Sequence, residues 1–371
     1  MNSDTIRFLT PLRGLAALFV AVFHWLFWMK DLKGSLDAAT NLFDRSYIWV
    51  DLFFLLSGFV LMHVYRGRLA RGEAQGQVKS FYRARFARIY PLYFFSLMCF
   101  LVFVVTLRTL GIEYEALKWG ERFSGESFLT NLAMLQALGI HEQLTWNMAA
   151  WSISTEFVVY LLFPLLLAAI EHPRWRWLLL ALAAVTFSGF YGIKGHVNLT
   201  YDFGLLRCLS EFVFGMFIYQ YGYHTYAWRW SESSVPGYLL ICVIIASLHF
   251  PATVVPDALV VAAFGMLILT LANHRGAGFA WLESRPMLWL GERSFSFYMN
   301  HFLAVELVYV LTSPSVSSRV KWHPSLLSGT LFVLTVLAVN VVASALTYTY
   351  IEKPGRAWLR TEPRSRALEI A

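Results

Sequence analysis

Charge is what this chain is short of. Of its 371 residues only 14% are Asp, Glu, Lys or Arg, where a soluble domain carries about a quarter. With 58% hydrophobic residues and a mean hydropathy of +0.54, the composition excludes a soluble globular domain and points to a polytopic membrane protein. Cysteine is nearly absent: Cys99, Cys208 and Cys242 each sit inside an apolar stretch. That rules out a disulfide framework and a cysteine metal motif. No internal repeat of transporter type, low-complexity linker or second soluble domain is visible. The first apolar segment lacks a small-residue cleavage site and is expected to stay as an uncleaved span. The net charge of +7 falls in short loops between apolar runs. It therefore reads as a topology signal and not as a nucleic-acid surface.

What is present is apolar sequence in runs of spanning length. These lie near 12–29, 47–65, 89–107, 152–170, 178–192, 204–222, 235–250, 257–273, 287–310 and 328–350, the fifth and seventh being short. The expected fold is an all-α, polytopic integral-membrane helical bundle of about ten transmembrane helices. A weaker run at 128–140 is expected to be re-entrant or interfacial. The chain reads as a single membrane domain over 1–371, with a transmembrane core of about 12–350 and a cytoplasmic tail of 351–371. Eighteen basic residues fall on the side of both termini and nine on the other, which places both termini in the cytoplasm.

Within the first run, LRGLAALFVAVFHWLFW, two cations interrupt the apolar sequence: Arg13 and His24, eleven residues apart. In a helix that is about 16 Å of rise and about 20° around the axis, so both share one face. Ionisable residues at such depth are functional candidates, because burying them in hydrocarbon is costly. Counting 1.5 Å per residue puts His24 about 18 Å and His301 about 21 Å from the inner side. Asp51 and Glu156 lie about 6 Å from the outer side. Arg13, Arg85 and Arg88 stand at the inner surface, with Pro91 expected to start the third span. Arg207 and Glu211, an i, i+4 pair, are expected to neutralise each other. Inner arginines suit phosphates, which they grip in a bidentate fashion. A deeper histidine with carboxylates suits proton transfer. Ser57 and Gly58 are read as allowing close helix packing, and Trp25, Trp28, Trp146 and Trp151 as interface-belt aromatics.

Six blocks in order carry a resemblance: TPLRGLAALFVAVFH, VDLFFLLSGFVLM, FYRARFARIYPLY, WSISTEFVVYLLFPLLL, LLRCLSEFVFGMFIY and RSFSFYMNHF. They resemble the integral-membrane acyltransferase-3 family, which includes the O-acetyltransferases of bacterial lipopolysaccharide, exopolysaccharide, peptidoglycan and nodulation factors. The family's Arg-x10-His pair falls on Arg13 and His24, and its Arg-x-x-Arg motif on Arg85 and Arg88. Its Trp-Ser-x-x-x-Glu block falls on Trp151, Ser152 and Glu156. Ser294, Tyr298 and His301 match its Ser-x-x-x-Tyr-x-x-His-like block loosely.

The resemblance implies a bacterial inner-membrane O-acyltransferase. It would move an acyl group, foremost acetyl, from cytoplasmic acyl-coenzyme A to a hydroxyl of a lipid-linked or cell-surface polysaccharide. Coenzyme A is then a donor substrate, with no tightly bound cofactor or metal. The expected partners are that donor, the glycan acceptor, membrane lipid and a separate periplasmic transferase. Arg13, Arg85 and Arg88 would hold the coenzyme A phosphates. His24 would act as general base or as transient acyl carrier. Glu156, or second to it Asp51, would orient the imidazole. Trp151, Ser152, Tyr298 and His301 would contact substrate. Two other classes stand beside this reading. One is a proton-coupled transporter or exporter of a glycolipid or small molecule, with His24 and the carboxylates as a relay. The other is a non-catalytic glycolipid-binding subunit.

Overall fold

The structure is a computed structural model that describes residues 6–360 except 7, 70–73, 113–119, 226–231 and 314–324. Among the described residues every regular element is helical, as the apolar runs require: hydrocarbon leaves backbone groups no partner but each other. Several basic residues counted in the topology bias (Arg7, Arg71, Lys118, Arg229, Arg319, Lys321, Arg364 and Arg366) lie outside the described residues.

The elements that build the site are α1 (Leu9–Leu26), α3 (Trp49–Leu69), α4 (Ala74–Thr109), α6 (Trp151–Glu171), α8 (Gly204–Phe217) and α12 (Ser294–Thr312). Around them lie α2 (Lys30–Ala39), α5 (Gly125–Leu132), α7 (Trp175–Lys194), α9 (Val235–His249), α10 (Asp257–Asn273) and α11 (Arg285–Glu292). The chain closes with α13 (Leu326–Thr347) and α14 (Lys353–Arg360), joined by π-helical turns over Tyr348–Glu352.

Seven described helical stretches are long and apolar enough to cross a membrane. They correspond to the first five, the ninth and the tenth of the expected spans, and the fifth is a full 20 residues. The other three expected spans are helical but fall short of that length and composition, for a physical reason in each case. The sixth run carries Arg207 and Glu211 and passes from α8 into π-helical turns at Ile218–Thr225. The seventh and eighth form α9 and α10, 15 and 17 residues long, about 22 and 25 Å against a hydrocarbon core of about 30 Å. The 128–140 stretch is the end of α5, only 8 residues long, followed by turns that fold back onto the bundle.

Pro91 does not start a helix. It lies inside α4, which runs 36 residues, about 54 Å, and so projects well beyond a bilayer core on one side. That projection carries Arg83, Arg85 and Arg88. The stretch after 350 is likewise no loose tail. α14 packs on α4, with Arg83 Nε donating to the Leu359 carbonyl over 2.6 Å, and Gly355 lies against Pro91.

Two glycine crossings set the helix spacing. A Cβ on Gly58 would stand 2.0 Å from the Phe212 carbonyl oxygen, and one on Gly215 would stand 2.0 Å from that of Leu55. α3 and α8 therefore touch backbone to backbone. Gly14 and Gly291 do the same for α1 and α11. The close-packing role expected at Gly58 is found; Ser57 faces elsewhere.

Candidate active site

A cleft enclosing about 830 Å³ of empty space, its mouth included, lies between α1, α3, α4, α6 and α12. Arg13, Arg85 and Arg88 line it together with Ser57, Ser152, Glu156, Tyr160, Ser294 and Tyr298, and its other walls are apolar. On α6 its lining runs from Ser152 to Tyr160, about 12 Å.

The three arginines occupy one end and differ in their bonding. Arg88 donates to Glu352 over 2.6 Å. The carboxylate of Glu352 also accepts from Ser296 over 2.6 Å. Arg85 donates to the Tyr65 hydroxyl over 3.1 Å and lies over the Tyr65 and Tyr160 rings, with its Nε unbonded. Arg13 makes no hydrogen bond or ion pair to any described residue. Glu352, which the sequence reading left in the tail, reaches Arg88 because the π-helical turns before α14 carry it inward. Such turns recur at functional sites.

Glu156 also lies in this cleft, hydrogen-bonded by Ser57 and by Tyr160 one turn on. It is thus engaged by two hydroxyls of the cleft and does not orient His24. Ser57, read from the sequence as a packing residue, is a cleft residue. Only its position next to Gly58, about 100° around α3 from the α8 crossing, could have signalled that.

The far end of the cleft is closed by Ser152 and Tyr298. Their hydroxyls lie 2.8 Å apart, and Tyr298 also reaches the Ala149 carbonyl at 3.1 Å. Asn147 fixes this end, and the sequence reading missed it. Its Oδ1 caps the turn by accepting from the Ala149 N–H, in the manner of helix-capping asparagine. Its Nδ2 donates to Ser96 at 2.8 Å and to the Met299 carbonyl at 2.9 Å, tying the start of α6 to α4 and α12. Trp146, just before it, is held at φ 49, a conformation costly for a bulky side chain.

His24 does not line the cleft. Its Nδ1 lies 3.1 Å from Nε2 of His301, and Nδ1 of His301 donates to the Tyr298 carbonyl over 2.5 Å. Trp25 Nε1 donates to the His301 carbonyl over 3.0 Å, which locks α1 to α12 beside the pair. His24 finds its orienting group in a histidine, where the sequence reading looked for a carboxylate. Phe23, Phe27 and Phe302 surround its ring.

The remaining expected residues are placed elsewhere. Asp51 forms a two-pronged ion pair with Arg207, Nε to Oδ1 at 2.9 Å plus Nη2 to Oδ2. Both side chains are fully buried, so Asp51 is not available to His24. The expected Arg207–Glu211 salt bridge is not formed; Glu211 lies against the pair, its carboxyl beside that of Asp51 and within electrostatic reach of Arg207. Trp151 packs under the Arg207 guanidinium at 5.5 Å and against Phe54; it does not line the cleft. Trp25, Trp146 and Trp151 are all buried, so they form no interface belt. Arg45 and Arg122, counted as loop charges, are buried in ion pairs with Asp257 and Glu306.

The profile of the acyltransferase-domain family matches residues 6–349. Over 373 residues the chain is 30% identical to Acyltransferase MdmB of Streptomyces mycarofaciens, covering 93% of this chain and 90% of that protein. It is 35% identical over 160 residues to Protein 2 in the picA locus of Rhizobium radiobacter, 41% of this chain and 76% of that protein. It is 24% identical over 386 residues to a putative peptidoglycan O-acetyltransferase, YrhL, of Bacillus subtilis, 94% of this chain but 54% of that protein. The chain thus spans about half the length of that last relative. No solved structure is significantly similar. A family profile over nearly the whole chain, on an apolar helical bundle, decides the matter: the chain belongs to the acyltransferase-3 family of integral-membrane acyltransferases.

Proposed function

We propose that this membrane acyltransferase moves an acetyl group from acetyl-coenzyme A to a hydroxyl of a lipid-linked or surface glycan. The donor binds from the cytoplasmic face of a bacterial inner membrane. The observation that carries the donor is the arginine end of the cleft. Three guanidinium groups converge there, and among the described residues only Arg88 has a carboxylate in a salt bridge. Three guanidinium groups facing the two carboxylates of Glu156 and Glu352 leave this end net positive and make a site for an anion, which arginine grips through paired N–H donors. The apolar walls beyond would take the pantetheine arm, and its thioester would arrive at Ser152 and Tyr298. His24 would take the proton of the acceptor hydroxyl as the oxygen attacks the thioester carbonyl carbon. As the C–S bond breaks, the proton passes to the departing thiolate. The acetyl group and the glycan are supported by relatives whose names are peptidoglycan O-acetyltransferase.

The test is a titration of coenzyme A against the detergent-solubilised chain and its Arg13→Lys variant. Lysine keeps the charge but loses the planar fork. Losing a charge-assisted bond of about 1.5–3 kcal/mol should weaken binding roughly ten- to hundredfold. Equal affinities would sink the donor assignment.

A further inference from the structure

We infer that Tyr298, latched by Ser152 and backed by His301, is the movable face of the partition between the donor cleft and His24, and that it directs the activated acyl group to the acceptor and away from water. Its chemistry rests on the acyl-coenzyme A reading above; its geometry does not.

The walls of the cleft end at Ser152, Phe53 and Tyr298. The Tyr298 ring sits edge-on to Phe53 with centroids 5.9 Å apart. On its other side the His301 ring lies 5.4 Å from it, and the His24 ring 5.0 Å beyond that. The order from the cleft is therefore Tyr298, His301, His24. Tyr298 is buried at 4% exposure, and the Ser152 hydroxyl and the Ala149 carbonyl hold its hydroxyl. His24 is half-buried and has no wall in the cleft. A thioester drawn up to Ser152 is thus screened from the base that would activate a nucleophile.

Two hydrogen bonds are a light latch, since each trades against one to water, so a side-chain swing of Tyr298 opens the passage. With Tyr298 gone, the space its ring leaves opens past the edge of His301 toward His24, and water there can attack the thioester carbonyl carbon. The C–S bond then breaks, the thiolate leaves with the proton taken by His24, and acetate forms in place of the ester. The role assigned to Tyr298 is to favour transfer over this hydrolysis.

The first measurement needs no donor. In a chain with Cys99, Cys208 and Cys242 replaced by alanine, His24→Cys introduces one thiol. A small, charged methanethiosulfonate is then added to vesicles at the face onto which the arginine cleft opens. With Tyr298 present the thiol should resist the reagent from that face; with Tyr298→Ala it should react about tenfold faster or more, because thiol modification follows access. Should Tyr298→Ala fail to insert, Ser152→Ala, which removes one of the two latching bonds and leaves the ring, is read in the same direction with a smaller gain. Unchanged labelling in the variants that insert overturns the partition, as does full reactivity with Tyr298 in place.

The second measurement is acceptor-free hydrolysis of acetyl-coenzyme A. Tyr298→Ala should raise it at least about tenfold, and adding His24→Ala should abolish the gain, as expected where a general base contributes about 10²–10⁴-fold. Hydrolysis at the parental rate in a variant that still binds coenzyme A also overturns the role. A parent chain that does not bind coenzyme A would instead remove the donor reading and leave the labelling result standing.

Discussion

His24 and His301 are joined ring to ring, Nδ1 to Nε2 over 3.1 Å, and this contact sets the tautomer of both. The Tyr298 carbonyl can only accept, so Nδ1 of His301 carries its hydrogen. In the neutral ring Nε2 of His301 then presents a lone pair. Nδ1 of His24 must donate to it, which leaves Nε2 of His24 as the basic nitrogen. His301 therefore holds His24 in one tautomer and orientation, as the carboxylate of a hydrolase triad does, but it brings no negative charge to stabilise the imidazolium. Replacing His301 by phenylalanine should lower kcat by about 10²-fold, the cost of a misplaced reacting group, with the donor KM little changed. His301→Gln, whose amide oxygen still accepts, should retain more of the rate. Steady-state kinetics on both variants checks this; equal losses would reduce His301 to a packing residue.

The arginines should rank by their bonding. Arg88 already has a neutralising partner in Glu352, and lysine at 88 could keep that ion pair. Arg13 is in electrostatic reach of the Glu156 and Glu352 carboxylates but forms no salt bridge among the described residues, so its N–H donors remain for a bound anion. Arg13→Lys should therefore raise the KM for acetyl-coenzyme A more than Arg88→Lys does, by a factor of about ten if one bidentate contact separates them. The reverse order would mean that Arg88 leaves Glu352 when the donor binds.

Asp51 is predicted to matter for folding and not for turnover. Removing one partner of a buried pair costs up to about 3–5 kcal/mol, and Glu211, within electrostatic reach of Arg207, offsets part of that loss. Asp51→Asn should lower the thermal unfolding midpoint in detergent sharply, while kcat per folded molecule stays close to that of the parent. Replacing Asp51 and Arg207 together by leucine and methionine should recover part of the stability. A folded Asp51→Asn chain without activity would return Asp51 to the catalytic set.

The α3–α8 crossing makes a second stability prediction. An alanine methyl at Gly58 or Gly215 would meet backbone oxygen at 2.0 Å, and backbone cannot swing aside as a side chain can. Each substitution should cost about 1–3 kcal/mol or more. Gly34, where a Cβ meets nothing within 4 Å, should gain from the same change, because alanine favours a helix interior by about 0.5–1 kcal/mol. Thermal shifts of opposite sign would confirm the contrast.

The elements that hydrophobicity alone decides could be read in the sequence. The long apolar runs became helices near their expected places, and Arg13, Arg85 and Arg88 do meet, since register and depth follow from residue counts. What could not be read was partner choice. Nothing local to Asp51 says that Arg207, 156 positions away, is its mate; the i, i+4 neighbour Glu211 was the visible candidate. Glu352 lies beyond the last apolar run, and only the π-helical turns bring it to Arg88. His301 was seen as a deep histidine, but its neighbour across the bundle depends on how α1 and α12 cross. Arg45 and Arg122 looked like loop charges because their carboxylates, Asp257 and Glu306, lie in other helices.

The last prediction concerns the faces of the membrane. Arg13 near the start of α1 shares the arginine end of the cleft with Arg85 and Arg88 on the projecting part of α4. α14 packs on the same part of α4 through Arg83 and Leu359. α4 then runs on for 21 residues past Arg88 to Thr109, about 32 Å, enough to cross a hydrocarbon core of about 30 Å. A tag at Gly111 should therefore lie on the opposite face from one placed after Arg360 and from one at the N-terminus. The basic residues around Arg83 lead us to expect the terminal tags in the cytoplasm, the side from which the proposed coenzyme A donor would enter. Impermeant labelling of spheroplasts would read all three tags, with only the Gly111 site modified. Labelling of the Arg360 site along with it would mean that α4 does not cross, and the arginine cleft would then open away from its donor.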